Sequence, residues 1–252
     1  MRNPDRETVF KFKQFEVVNR RSAMKVGTDG VLLGAWCHAS RYSAEADTVS
    51  TILDAGCGTG VISLMLAQRF HLAFVTGVEI DHMAAIEAHE NFEMSPWADR
   101  LKLVEGDFLT YYAKNIATKF DLIVSNPPFF TNGQPSPDDA RLTARHDSSL
   151  PLESLLKTSV GMISENGSLC LILPADREEE LKRLAVINRF HIEKLIRVST
   201  VSHKPPRRLL AELVHGSADT GPTHLSSLSI HCESGNFSQQ YIDLLRDFYL
   251  KF

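Results

Sequence analysis

From Thr51 onward the chain alternates short apolar runs with helix-length stretches, and this rhythm restricts the possible folds more than any other feature. Thr51–Asp54 reads as a strand, Val61–Phe70 as a helix, Ala73–Glu79 as a strand and Met83–Phe92 as a helix. Strands at Leu101–Glu105 and Asp121–Ser125 come next. A helix at Leu152–Ile163 follows, with Gly167 just past its end as a stop signal. Then come a strand at Ser168–Leu173 and a charged helix at Glu178–Asn188. Strands separated by helices pair in parallel, because the helix carries the chain back to the starting edge. The pattern therefore predicts an α/β fold with a doubly wound, mostly parallel sheet. The last third has strands at His191–Val198, Arg207–His215 and Leu225–Cys232 with no helix between them, so antiparallel pairing is expected there. A helix near Ser238–Tyr249 closes the pattern.

Two segments flank or interrupt this pattern. Phe10, Phe12, Phe15 and Val17 alternate with polar residues, which suggests a strand or hairpin arm. Gly27-Thr28-Asp29-Gly30 then offers a helix start, with Thr28 or Asp29 as cap, ahead of Val31–Trp36. Ser40 to Ser50 is small and polar, a linker. The expected division is an N-terminal strand and helix extension over residues 1–45, packed on a main domain over residues 46–252. Thr131–Ser149 is polar and rich in Pro and Asp, which suggests a mobile loop.

At 252 residues the chain can bury a large core, and its net charge of -4 does not announce a nucleic-acid partner. A local basic patch on an acidic protein is still compatible with one. Cys37, Cys57, Cys170 and Cys232 are scattered without a C-x-x-C pair, so they indicate cytosolic thiols, with no metal site. No signal peptide or membrane-length apolar run is visible, and a cytoplasmic monomer is expected.

Asp54-Ala55-Gly56-Cys57-Gly58-Thr59-Gly60 lies between the first strand of the alternating region and its helix. Gly56, Gly58 and Gly60 there permit a tight turn and close approach of a ligand to the backbone. The spacing is G-x-G-x-G, which differs from the G-x-G-x-x-G of dinucleotide enzymes, and NAD is the rival ligand. Glu79 ends the next strand, where an acid can accept both hydroxyls of a ribose. Asp107 follows the third strand, placed to accept from an adenine amino group, and Phe108 beside it is a candidate to pack on the adenine face.

The strand Asp121–Ser125 runs into Asn126-Pro127-Pro128-Phe129. An exocyclic amine conjugated to a purine is a poor nucleophile because its lone pair is delocalised. Accepting both amino hydrogens favours a pyramidal nitrogen and aims the lone pair. Asn126 supplies a neutral side-chain carbonyl, Pro127 a backbone carbonyl without an N–H, and Pro128 stiffness. Phe129 supplies a face for a base. Such catalysis is positioning plus electrostatics. Flipping a base from a duplex costs a few kcal/mol, and stacking on one ring returns about 1–3 kcal/mol, so an unpaired base is the easier substrate. Further affinity has to come from phosphate contacts, for which Arg20, Arg21, Lys25, Arg145, His146, Lys204, Arg207 and Arg208 are candidates.

Asp54–Gly60, Glu79 and Asp107 together resemble the cofactor motifs of class I S-adenosylmethionine-dependent methyltransferases. The Asn-Pro-Pro-Phe run resembles the N-P-P-[YF] motif of amino methyltransferases. Those enzymes act on adenine N6, guanine N2, cytosine N4 or protein glutamine, so this motif leaves the substrate open. Further resemblance lies in Met24–Trp36, Phe130 after the motif, Ala144-Arg145-His146, Lys204-Pro205-Pro206-Arg207-Arg208 and Asp247–Phe252. With these, the chain resembles the bacterial tRNA(valine) adenine-N6 methyltransferase family nearly end to end. The resemblance implies a Rossmann-like class I methyltransferase sheet, with S-adenosyl-L-methionine as cofactor and S-adenosyl-L-homocysteine as product. It also implies methylation of adenine 37 in a valine tRNA, with Thr28 and Asp29 near the methionine end of the cofactor. The alternatives are an amino methyltransferase acting on ribosomal RNA, DNA or protein glutamine, and a non-catalytic RNA-binding factor.

Overall fold

Strands of alternating apolar residues pack helices on both faces of one central sheet. A computed structural model describes residues 9–22, 25–37, 49–128, 150–216 and 221–252. The sheet contains β3 (Thr51–Ala55), β4 (Phe74–Glu79), β5 (Leu101–Glu105), β6 (Phe120–Ser125), β7 (Ile163–Pro174), β8 (Phe190–Val201), β9 (Arg208–His215) and β10 (His224–His231). Their order is β10-β8-β9-β7-β6-β3-β4-β5. A separate antiparallel hairpin, β1 (Val9–Lys11) and β2 (Glu16–Val18), forms the expected arm.

Successive residues of each strand point to opposite faces. Ile52, Leu122, Val124, Cys170, Ile172 and Leu210 face one core, which also contains residues of α1 (Thr28–Trp36), α2 (Val61–Arg69), α3 (His82–Glu93) and α7 (Gln239–Leu245). Leu53, Ile123, Leu169, Leu171, Leu209 and Ala211 face the other, with α4 (Phe108–Lys114), α5 (Leu152–Met162) and α6 (Glu178–Ile187). The arm belongs to the first core: Phe12 and Phe15 stack at 4.4 Å, and Phe15 meets Trp97 edge-on.

The structure differs from the sequence expectation at four points. Phe108–Lys114 is a helix where none was expected. Gly167 is no helix stop, because β7 begins at Ile163 directly after α5. The register of β7 on β6 shifts between Phe120 and Leu122, and a Cβ at Gly167 would lie 2.8 Å from the Phe120 carbonyl oxygen, so glycine is what permits that close approach. Neither Thr28 nor Asp29 caps α1; Gly27 is its N-cap, without a side-chain bond. Finally, β8 and β9 pair antiparallel as expected, but β10 pairs parallel to β8. The reason is topological. β9 lies between β7 and β8, so both of its edges are taken. A strand entering from the end where β9 finishes must run opposite to β9, and on the free edge of β8 that direction is parallel.

Candidate active site

β3 is followed in sequence by β4 on one side, while β6 joins its other side, so the sheet reverses direction of growth beside β3. In open α/β sheets ligands bind at the carboxyl ends of the strands at such a switch point. The register shows what meets there. Ala55 pairs with Val78 and Asp54 with Val124, so Gly56, one step beyond the strand, is level with Glu79 on one side and Asn126 on the other. Glu79 in turn pairs with Glu105, two residues before Asp107. Buried Ser125 donates to the Ala55 carbonyl at 2.7 Å, which locks the end of β6 to the end of β3.

The glycine turn folds back over β4, with Gly56 and Cys57 N–H groups both donating to the Val78 carbonyl at 2.9 and 3.1 Å. Gly56, Gly58 and Gly60 all have positive φ. A Cβ at Gly56 or Gly58 would meet no atom of the described residues within 4 Å, so this backbone borders open space. Gly60 is different, since a Cβ there would sit 2.4 Å from Phe92 Cε1.

Asp54 is fully buried and turns toward α2, where one carboxylate oxygen accepts from Ser63 N at 3.1 Å and Ser63 Oγ at 2.7 Å. Its other oxygen, Oδ1, is buried without a hydrogen-bond partner among the described residues. Burial raises its pKa to about 7, against the Ser63 bonds, which lower it. Glu79 is also buried and accepts from Gly58 N at 2.7 Å and Asp81 N at 2.8 Å. Burial raises its pKa as well, and the backbone bonds oppose that rise. Asp107 caps α4 through Oδ2, which accepts from Thr110 N and Oγ1 at 2.8 and 3.0 Å.

Phe108 requires a correction. Its ring is 4% exposed and sits in the core under α4, α5 and α6, so its face is covered by protein and not offered to a base. The large apolar side chain exposed beside Glu79 is Ile80, 41% exposed, which the sequence reading passed over.

α1 reaches the same place by packing along α2. A Cβ at Gly30 would lie 3.3 Å from Val61, and one at Gly34 would lie 2.9 Å from Met65 Sδ, so the two helices run side by side from their N-termini. Thr28 and Asp29 therefore start beside the glycine turn. Asp29 holds Arg208 Nε at 2.7 Å.

Asn126 is half-buried after β6, Pro127 is buried and Pro128 exposed. Phe129, Arg145, His146 and the Thr131–Ser149 segment lie outside the described residues. The other basic candidates divide. Arg21 is paired with Glu90 at 2.6 Å, Lys25 donates to the Asn19 carbonyl at 2.8 Å, and Arg208 is held by Asp29. Arg20, Lys204 and Arg207 are exposed, and their side chains make no ion pair among the described residues. Lys204 and Arg207 lie in the β8–β9 turn, at the same sheet edge as Asn126, because β8 runs parallel to β7 and β6. No group of side chains suited to a metal ion occurs among the described residues. No helix among them is long and apolar enough to cross a membrane.

Residues 40–178 match the family model described as Methyltransferase small domain. A tRNA1(Val) (adenine(37)-N6)-methyltransferase of Porphyromonas gingivalis is 42% identical over 245 residues, which covers 96% of this chain and 94% of that protein. Another from Aliivibrio fischeri is 43% identical over 241 residues, with coverage of 96% and 97%. Among solved structures, a predicted O-methyltransferase of Agrobacterium tumefaciens superposes with a TM-score of 0.63 at 20% identity, over 87% of this chain and 96% of that one. A putative class I S-adenosylmethionine-dependent methyltransferase of Listeria monocytogenes gives 0.56 at 18% identity, over 79% and 62%. Fold, motifs and end-to-end identity converge, and the chain belongs to the tRNA1(Val) (adenine(37)-N6)-methyltransferase family, on a class I methyltransferase fold.

Proposed function

We propose that this protein transfers a methyl group from S-adenosylmethionine to N6 of adenine 37 in the anticodon loop of tRNA(valine), releasing S-adenosylhomocysteine and, to solvent, the proton that the methylated amine loses. The observation that carries this reading is the register that brings Gly56, Glu79 and Asn126 to one level at the switch point. The cofactor fits the residues present: open space over Gly56 and Gly58, an unpartnered buried carboxylate oxygen on Asp54, and an acid at Glu79.

S-adenosylmethionine, when bound, supplies an electrophilic methyl group on a sulfonium sulfur. Gly56 and Gly58 border it with bare backbone. Glu79 keeps lone pairs for the ribose hydroxyls while its bonds to Gly58 and Asp81 hold it still. Asp107 presents Oδ1 to the adenine amino group, its Oδ2 being spent on the cap. Ile80 covers an adenine face in place of Phe108. Asp54 both fixes the start of α2 and offers Oδ1 toward a cationic group, with Thr28 and Asp29 at the same end.

On the substrate side, Asn126 Oδ1 and the Pro127 carbonyl accept the two amino hydrogens. Buried Pro127 and the Ser125–Ala55 bond keep that pair fixed relative to the glycine turn. Proximity and a preorganised acceptor pair are the catalytic contribution of the chain. Phe129 is proposed to stack on the target base. Lys204 and Arg207 are the proposed phosphate contacts, joined by Arg20, Arg145 and His146, while Arg21, Lys25 and Arg208 serve the protein's own structure. We read the protein as a cytoplasmic monomer, with residues 1–45 an extension on the 46–252 domain.

The test uses total RNA from a strain lacking the gene, incubated with the protein and labelled S-adenosylmethionine, then fractionated for nucleoside analysis. N6-methyladenosine confined to a tRNA(valine) fraction is the expected result. Label in ribosomal RNA, or as methylguanosine, would reassign the substrate.

A further inference from the structure

We infer that Asn91 on α3 is a positioning residue for the cofactor turn, and that with Glu87 it makes the N-terminal arm part of that site. This rests on the reading that the Gly56–Gly60 turn holds the cofactor. Residues 87 and 91 are one helical turn apart and share a face. That face is otherwise apolar and buried, with Ala84, Ala88 and Phe92.

Asn91 is fully buried, and its amide is committed on three sides. Nδ2 donates to the Val18 carbonyl and to the Thr59 carbonyl, each at 2.9 Å, and Oδ1 accepts from Val18 N at 2.8 Å. Thr59 stands between Gly58 and Gly60, so one side chain ties the arm to the middle of the turn. The next residue, Phe92, lies directly under Gly60. Helix α3 thus sets the turn twice, by a hydrogen bond at Thr59 and by van der Waals contact at Gly60.

Glu87, 1% exposed, completes the arrangement. Its Oε1 accepts from the backbone N–H groups of Arg20 and Arg21, and its Oε2 from Ser22 N at 2.9 Å. Three consecutive amides converge on one buried carboxylate, which fixes the arm where it turns toward α1. The arm and α1 lie outside the segment matched by the family model, whereas α3 and the turn lie inside it. The clamp therefore joins a segment outside the matched domain to a turn inside it.

The experiment measures S-adenosylhomocysteine affinity by calorimetry, well below the unfolding transition, together with steady-state kinetics on tRNA. Asn91→Ala leaves Val18 and Thr59 groups buried and unpaired, and the expected rise in Kd is roughly tenfold or more. KM for S-adenosylmethionine rises in step, while kcat at saturation is largely retained. Glu87→Gln raises both by a smaller factor, because it loosens the arm without touching Thr59. Arg21→Ala, which breaks the exposed pair with Glu90 but keeps the backbone bond to Glu87, leaves Kd unchanged. If Asn91→Ala does not fold, Asn91→Leu repeats the test, since it largely keeps the volume but has no group to donate to Thr59. A lowered melting temperature with unchanged Kd and KM would overturn the inference while leaving the proposed reaction intact. Failure of the wild-type protein to bind S-adenosylhomocysteine would overturn both.

Discussion

Gly58 and Gly60 sit two residues apart, with φ of 57° and 81°, and replacing each by alanine makes the same chemical change. The structure assigns them different outcomes. Alanine in the left-handed region costs about 1–2 kcal/mol at either position. At Gly58 nothing further is added to the folded protein, because the new methyl group enters open space. At Gly60 the methyl group would fall 2.4 Å from Phe92 Cε1, in the core, and overpacking adds roughly 1–3 kcal/mol. The expected totals are therefore about 1–2 kcal/mol for Gly58→Ala and about 2–5 kcal/mol for Gly60→Ala. At roughly 2–4 °C per kcal/mol for a chain of this size, the melting temperature falls by about 2–8 °C and about 4–20 °C respectively. Ligand binding reverses the ranking. Gly58→Ala fills the space over the turn and is expected to weaken S-adenosylhomocysteine binding by roughly tenfold or more, since one misplaced contact of 1.4 kcal/mol has that effect. Thermal unfolding with and without S-adenosylhomocysteine reads both effects in one experiment. Equal melting temperatures for the two variants, or a Gly58→Ala protein that gains as much from ligand as wild type, would refute the assignment of one glycine to the ligand and the other to the core.

Asn126→Ala is expected to lower kcat by on the order of 10² with little change in S-adenosylhomocysteine affinity; equal loss of both would make Asn126 a cofactor residue only. Asp54 gives a pH prediction. Its folded pKa, about 7, lies above the ordinary 3.8, so the folded state retains a proton that the unfolded state releases. Its contribution is thus most favourable at acid pH and declines as pH rises from the unfolded to the folded value, by on the order of 4 kcal/mol in all. The melting temperature of Asp54→Asn relative to wild type should rise between pH 5 and pH 7 and then level off, and a constant difference would contradict the buried titration. Replacing Lys204 and Arg207 together by glutamine should reduce the slope of log affinity against log salt by about 1.4 for a single-stranded loop, two contacts at about 0.7 each. An unchanged slope would place the RNA elsewhere.

The central sheet was legible because its strands carry apolar residues on both faces, as at Ile52 and Leu53 or Ile172 and Leu173, bounded by glycine turns. α4 was hidden because it is only seven residues long, and its one stripe, Phe108, Tyr111 and Tyr112, buries only Phe108 completely. The parallel pairing of β10 was hidden because it follows from the position of β9 between two other strands, which no local pattern reports. At the candidate site the residue types and their order could be read, but the side on which each bond falls could not. Asp54 and Phe108 both stand in ligand-facing motifs, yet one bonds Ser63 and the other enters the core. Glu87 and Asn91 did leave a trace, as polar residues on the buried face of α3, where an unpaired charge or amide would be expensive.

The arm is gripped at its other end by residues far along the chain. Lys13 N donates to the Phe248 carbonyl at 2.8 Å, Phe12 bridges to Tyr249, and Lys13 Nζ reaches the Phe252 carbonyl, 239 residues away. A ribosome makes the arm long before these partners, 239 residues earlier in the case of Lys13 and Phe252. Until they are made, Phe12 and Phe15 lack part of the surface that covers them, and the hairpin is held by α3 and Trp97. The site at the switch point therefore gains this support only after residues 248–252 have been made. A nascent chain stalled before Phe248 would carry the complete glycine turn with its arm unsealed, a state open to chaperones and proteases that the sealed arm denies them.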